Sequence, residues 1–227
     1  MDIKEAIMQR RSIRKFEDEK VEENDILEII ELARRAPSSV NGQQISLIYT
    51  MNKDLIEKIA SLSGGQAQIS DSKAFIAIIG DFYRDKIYLE SVGKSLTDDI
   101  HNLREIASVD AGIMATILNF AAMSKGLGCT IIGGVKQEPE KIAKLLNLPE
   151  GTFVLLGLTI GVPAKGSMDI TLKPRIGRKA FAMKDKYNAE VQNNAIKEYE
   201  VVLDKWFRSI NVDQPLFGKV IERFYAK

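Results

Sequence analysis

The sequence predicts an α+β sandwich in which helices surround one mixed β-sheet. Three observations carry that expectation. Residues 23–36, "ENDILEIIELARRA", place Ile26, Ile29, Ile30 and Ala33 on one helical face. Residues 74–81, "AFIAIIGD", form a continuous apolar run of the kind found in strands buried on both faces. Helical and strand patterns then follow one another without the strict alternation of a doubly wound parallel sheet.

The elements follow in order. Residues 2–10 read as a helix with Ile3, Ala6 and Ile7 on one face. In the second helix Asn24 is the expected N-cap. It ends at "APSSVNGQQ", a Pro/Ser/Asn/Gly loop. "ISLIYTM" is a strand, and Asn52 caps the helix "KDLIEKIASLS", which runs into a "GGQ" loop. After the 74–81 strand, residues 84–108 are polar and weakly periodic, a helix and a loop over the core. "SVDAGIMATILNFAAMSKGLG" is a long helix, apolar nearly all round, with Ser108 at its start and Gly126 at its left-handed end. "CTIIGGV" is a short strand, "EPEKIAKLLNL" a helix with Pro139 early in it, and "TFVLLGLTIGVPA" a buried strand. A loop-rich segment, residues 165–188, precedes a polar helix from about 189 to 210 and a tail with "WFRSI" and "VIERFYAK".

Composition narrows the function. The 227 residues are 45% hydrophobic, enough for a sizeable core. Lys and Arg number 32 against 31 Asp and Glu, which argues against a general nucleic-acid binder. The basic cluster "RRSIRKF", Arg10 to Phe16, is therefore local and suited to a local anion. One cysteine, Cys129, and one histidine, His101, fall short of a metal ligand set. A lone cysteine also fits a reducing compartment. "MDIKEAIMQRR" lacks the apolar region of a signal peptide, and no apolar run approaches the roughly 18 residues of a membrane span. The expectation is a soluble cytoplasmic protein.

No dinucleotide fingerprint and no P-loop occurs. Four segments remain: "RRSIR" (10–14), "APSSVNGQQ" (36–44), "IIGG" (131–134) and "LKPR" (172–175). Arg10, Ser12, Lys173 and Arg175 are donors that suit a phosphate monoester. The IIGG glycines allow close backbone approach to a flat ligand. Asn41, Gln43 and Gln66 carry amides able to read a polar ring edge. Taken singly, the plainer reading of each prevails: "RRSIR" as a helix C-terminus, "APSSVNGQQ" as a linker, "IIGG" as a strand end and "LKPR" as a surface turn.

Together and in this order the segments resemble the flavin-dependent nitroreductase family. The branch resembled is that of NADPH-dependent flavin reductases and oxygen-insensitive nitroreductases with an extended C-terminal part. "RRSIRKFEDEKV", "ARRAPSSVNGQQISLI", "LSGGQAQISDSKAFIAIIGDFYR", "VDAGIMATILNFAAMSKGLGCTIIGG", "PEKIAKLLNLPEGTFVLLGLTIGVPA" and "LKPR" carry it, over about residues 3 to 190.

The resemblance implies a nitroreductase-like sandwich in an intertwined homodimer, with FMN at the interface. It implies an FMN-binding domain over residues 1–190 and a C-terminal helical extension, 191–227, packed on the partner subunit. Arg10 and Ser12 would hold the FMN phosphate, joined by Lys173 and Arg175, with Arg11 at the ribityl-phosphate end. Arg14 would stabilise negative charge at the flavin N1/O2 edge. Ser38 and Gln66 would contact the ribityl chain and the pyrimidine ring, and Ile132, Gly133 and Gly134 would lie beside N5 and O4. The implied activity is a two-electron ping-pong reduction by NADPH or NADH of flavins, quinones, nitroaromatics or similar acceptors. No side chain acts as acid or base, since the flavin carries the chemistry. Two other classes compete: a flavin-binding protein without turnover, and a docking module whose arginines meet an acidic partner.

Overall fold

The computed structural model describes residues 2–169 and 171–226. Met1, Ile170 (within the expected loop) and Lys227 lie outside them. The chain divides into two compact units, Met1–Ser167 and Met168–Lys227.

In the first unit, α1 (Ile3–Gln9) is capped by Asp2, and α2 (Glu23–Ala33) follows. β1 (Ile45–Thr50) leads to α3 (Lys53–Leu62) and the single turn α4 (Ala67–Ser70). β2 (Ala74–Asp81) precedes α5 (Tyr83–Ser91) and the long α6 (Ile100–Ser124). β3 (Gly128–Ile132), α7 (Pro139–Leu145) and β4 (Thr152–Gly161) complete it.

The four strands form one sheet in the order β1-β2-β4-β3. Every pairing is antiparallel, so the α+β class stands while the expected mixed sheet is corrected to an antiparallel one. Apolar runs alone do not report strand direction, and the helix-bearing connections between these strands leave it open as well. β2 is buried along its whole length because it lies inside the sheet and has helices on both faces. Ala74, Ile76 and Ile78 pack with α2 and α6, whereas Phe75, Ala77 and Ile79 pack with α3 and α7. That alternation is the two-residue period of a strand.

Some boundaries move. The side chain of Asn52 accepts the N–H of Leu55 at 2.9 Å, as a cap should. Asn24, by contrast, lies inside α2, where its amide donates to Glu28 at 2.6 Å; the extended residue before the helix is Glu22. α6 starts at Ile100, capped by Asp99, and runs straight through Ser108. The reason is continuous burial on one face: Leu103, Ala107, Ala111, Ala115, Leu118 and Ala122 all pack into the core. Residues 84–108 are thus α5, a short loop and the first turns of α6. α6 is long and apolar enough to cross a membrane by length and composition. It ends where Gly126 takes φ 74°, the left-handed conformation glycine adopts without strain.

The second unit holds the short α8 (Arg178–Phe181), α9 (Ala189–Ser209) and α10 (Phe217–Tyr225). The tail beyond α9 is therefore partly helical. Residues 171–175 are pinned to α9 by its aromatic residues. Trp206 donates to the Thr171 hydroxyl at 2.9 Å, the Tyr199 hydroxyl donates to the Pro174 carbonyl at 3.1 Å, and Lys173 Nζ lies 5.2 Å from the Phe207 ring centre.

Candidate functional site

The basic segment 10–14 runs beside the outer edge of the sheet. The Ile13 N–H donates to the Cys129 carbonyl at 3.0 Å, and the Thr130 hydroxyl donates to the Ile13 carbonyl. Ile13 is buried, and a Cβ on Gly128 would lie 2.8 Å from its side chain. Arg10, Arg11 and Ser12 are half-buried beside this anchor, and Arg14 is exposed. Arg10 and Arg14 form no ion pair and no side-chain hydrogen bond among the described residues. Cations held beside a sheet without carboxylates are poised for an external anion. The Arg10 charge also reaches Cys129: burial pushes that thiol up to about 12, and the guanidinium pulls in the opposite direction.

β3 delivers the next group. The Ile132 side chain is buried in the core, so only its backbone is available. Gly133 and Gly134 follow as the strand turns into a 3-10 turn, and their N–H groups donate to no acceptor among the described residues. A Cβ at Gly134 would lie 2.0 Å from Gln66 Nε2 and 2.6 Å from the Ser63 carbonyl oxygen, whereas Gly133 faces open space. The Gln66 amide is therefore folded onto Gly134. Its orientation is set by donation to the Ser63 carbonyl at 2.9 Å and acceptance from Gln68 at 2.6 Å.

Ser38 stands elsewhere. Its loop leads into β1, at the opposite edge of the sheet from β3, about three strand spacings of some 4.8 Å away. Its Oγ accepts the Gln43 N–H at 3.0 Å. With Pro37, Ser39 and the α6 residues Asn102, Ile106 and Val109 it lines a cleft of about 510 Å³. The first unit thus brings Arg10, Arg11, Ser12, Arg14, Ile132, Gly133, Gly134 and Gln66 to the β3 side and leaves Ser38 apart. Lys173 and Arg175 are exposed residues of the second unit.

With that geometry established, comparison with known proteins is direct. The model of the nitroreductase family matches residues 7–162. The chain belongs to the nitroreductase family. Among relatives of this nitroreductase, the FMN reductase (NAD(P)H) of Bacillus subtilis is 35% identical, over 90% of this chain and 82% of its own length. The Cr(VI) reductase of a Pseudomonas species is 31% identical, over 91% and 84%. The solved structure of the hypothetical oxidoreductase YcnD from Bacillus subtilis superposes with a TM-score of 0.92 at 32% identity, covering all of this chain and 92% of that one.

The residues present fit the flavin mononucleotide that the family implies. The guanidinium groups of Arg10 and Arg14, unpaired among the described residues, suit a phosphate, and the N–H groups of Gly133 and Gly134, free among the same residues, suit an electron-rich ring edge that a Cβ would crowd. Two polar residues of this nitroreductase escaped the sequence reading, Asp110 and Arg84. Asp110, buried on α6, accepts the Ser39 N–H at 3.2 Å, and Arg84 of α5 grips the backbone at Gln43 and Ile45. Each lies within a segment that carries the family resemblance, yet each meets a loop about 40 to 70 residues earlier in the chain.

Proposed function

We infer that this nitroreductase is an FMN-dependent oxidoreductase that takes electrons from NADPH or NADH and delivers them to small acceptors such as nitroaromatics, quinones or free flavins. When bound, FMN supplies the two-electron redox chemistry. The observation that carries the reading is the pairing of unpartnered Arg10 and Arg14 with the free N–H groups of Gly133 and Gly134, in a chain of this family. Relatives named as reductases favour turnover over storage of the flavin.

The residues divide by chemistry. Arg10, Ser12, Lys173 and Arg175 bind the phosphate by charge-assisted hydrogen bonds, and Arg11 holds the adjoining ribityl end. Arg14 places positive charge at the N1/O2 edge and favours the electron-rich ring electrostatically. Gln66 and the N–H groups of Gly133 and Gly134 orient the ring, while Ser38 contacts the ribityl chain. No side chain is assigned as acid or base.

Ser38 and the β3 residues lie at opposite sheet edges, which supports a site completed by a second copy of the chain. Apolar side chains left exposed support the same assembly: Ile3, Ile7 and Met8 on α1, Val109 on α6, and Phe224 and Tyr225 on α10. In this homodimer, residues 1–190 form the flavin domain and the extension 191–227 covers the partner. The protein is soluble and acts in the cytoplasm.

The test is spectroscopic. Purified protein should be yellow, bleach with NAD(P)H under anaerobic conditions, and regain colour when an acceptor is added. Colourless protein that leaves FMN fluorescence untouched, or bound flavin that stays oxidised, contradicts the assignment. Sedimentation should show a dimer; a stable monomer with full FMN occupancy would exclude a shared site.

A further inference from the structure

The loop between α2 and β1 is held in a conformation its residues do not favour. Val40, Asn41 and Gln43 all have positive φ, 48°, 54° and 56°. For a β-branched residue such as Val40 this is a genuine outlier. Conformations of this kind persist only where the surroundings over-determine them.

Three contacts do so here. Asp110, 3% exposed, accepts the Ser39 N–H with both oxygens, at 3.2 and 3.3 Å. Ser38 Oγ accepts the Gln43 N–H at 3.0 Å and closes the loop on itself. Arg84 holds the far end: it donates to the Gln43 carbonyl, to the Ile45 carbonyl at 3.3 Å and to the Ser46 hydroxyl at 3.0 Å. Asp81 fixes that guanidinium at 3.3 Å and itself accepts the Ser46 hydroxyl. The planar fork of arginine is what allows one side chain to bind several backbone acceptors at once.

The contacts form a relay. Arg84 fixes the Gln43 carbonyl, the Gln43 N–H occupies a lone pair of Ser38 Oγ, and the Ser38 O–H is left as the free donor. We propose that Arg84 is a positioning residue that sets the direction of the Ser38 hydroxyl through the Gln43 backbone, and so raises affinity for FMN without touching it. This rests on the reading of Ser38 as a flavin contact.

A double-mutant cycle tests it. FMN is titrated into full-length apoprotein, followed by loss of flavin fluorescence, for wild type, Arg84→Ala, Ser38→Ala and the double variant. Each single change should weaken FMN by about tenfold, the scale of one lost hydrogen bond. The double variant should bind no more weakly than Ser38→Ala alone, because coupled residues are non-additive. Arg84→Lys keeps the charge but not the fork, so it should also weaken FMN; if Arg84→Ala fails to fold, it supplies the same cycle. Independent, multiplying losses would overturn the positioning role, as would full affinity in Arg84→Lys. Unchanged affinity in Ser38→Ala would instead overturn the flavin contact itself.

Discussion

The Ile13 N–H donates to the Cys129 carbonyl at 3.0 Å, and that bond fastens the basic segment to the outer edge of β3. Ile13 faces the core, so its neighbours Ser12 and Arg14 stand at the more exposed surface. The glycines that follow β3 are carried by the same strand. One edge strand therefore presents both the cations and the free backbone donors.

Arg14→Ala should lower the reduction potential of bound FMN. A cation at the N1/O2 edge favours the reduced ring, and a charge-assisted contact is worth about 1.5–3 kcal/mol. For a two-electron couple the fall should be roughly 30–65 mV, read by dye-coupled titration. An unchanged potential with lost FMN would move Arg14 to the phosphate.

Arg175→Ala should weaken FMN more than riboflavin, which lacks the phosphate. The loss for FMN should be roughly tenfold to over a hundredfold. Equal weakening of both ligands would place Arg175 away from the phosphate.

Gly134→Ala and Gly133→Ala should separate. At Gly134 a Cβ meets the Ser63 carbonyl at 2.6 Å, backbone that cannot swing aside, so stability should fall by about 1–3 kcal/mol. At Gly133 a Cβ meets nothing within 4 Å and φ is −83°, so folding should be unaffected. Weaker FMN binding by a Gly133→Ala protein that melts like wild type would report crowding of the ligand itself. Equal melting temperatures in both variants would contradict the packing of Gln66 and Ser63 on Gly134.

Cys129 should make the fold sensitive to alkali. Burial pushes its thiol up to about 12, against about 8.5 for an unfolded cysteine. The neutral thiol therefore stabilises the folded state fully below about 8.5, and that contribution is lost as pH rises toward 12. Urea midpoints at mildly and strongly alkaline pH should fall more steeply for wild type than for Cys129→Ala. Parallel slopes would show that the thiol does not titrate differently on folding.

What the sequence determined by itself is what short-range chemistry specifies. The Asn52 cap acts over three residues, the Gly126 terminus needs only its own φ, and the β2 run needs only burial on both faces. The flavin site proposed for "RRSIR", "IIGG" and "LKPR" came from family resemblance and not from short-range chemistry. Tertiary structure decided the rest. α6 begins at Ile100 because Leu103 and Ala107 find a core to enter, which local polarity conceals. The sheet is antiparallel throughout its four described strands, a direction that its helix-bearing connections leave open. Asp110 meets Ser39 across 71 residues and Arg84 meets Gln43 across 41, and nothing in either local stretch encodes the partner. Such contacts form only after the chain has met the entropy of closing long loops, through burial of the whole core.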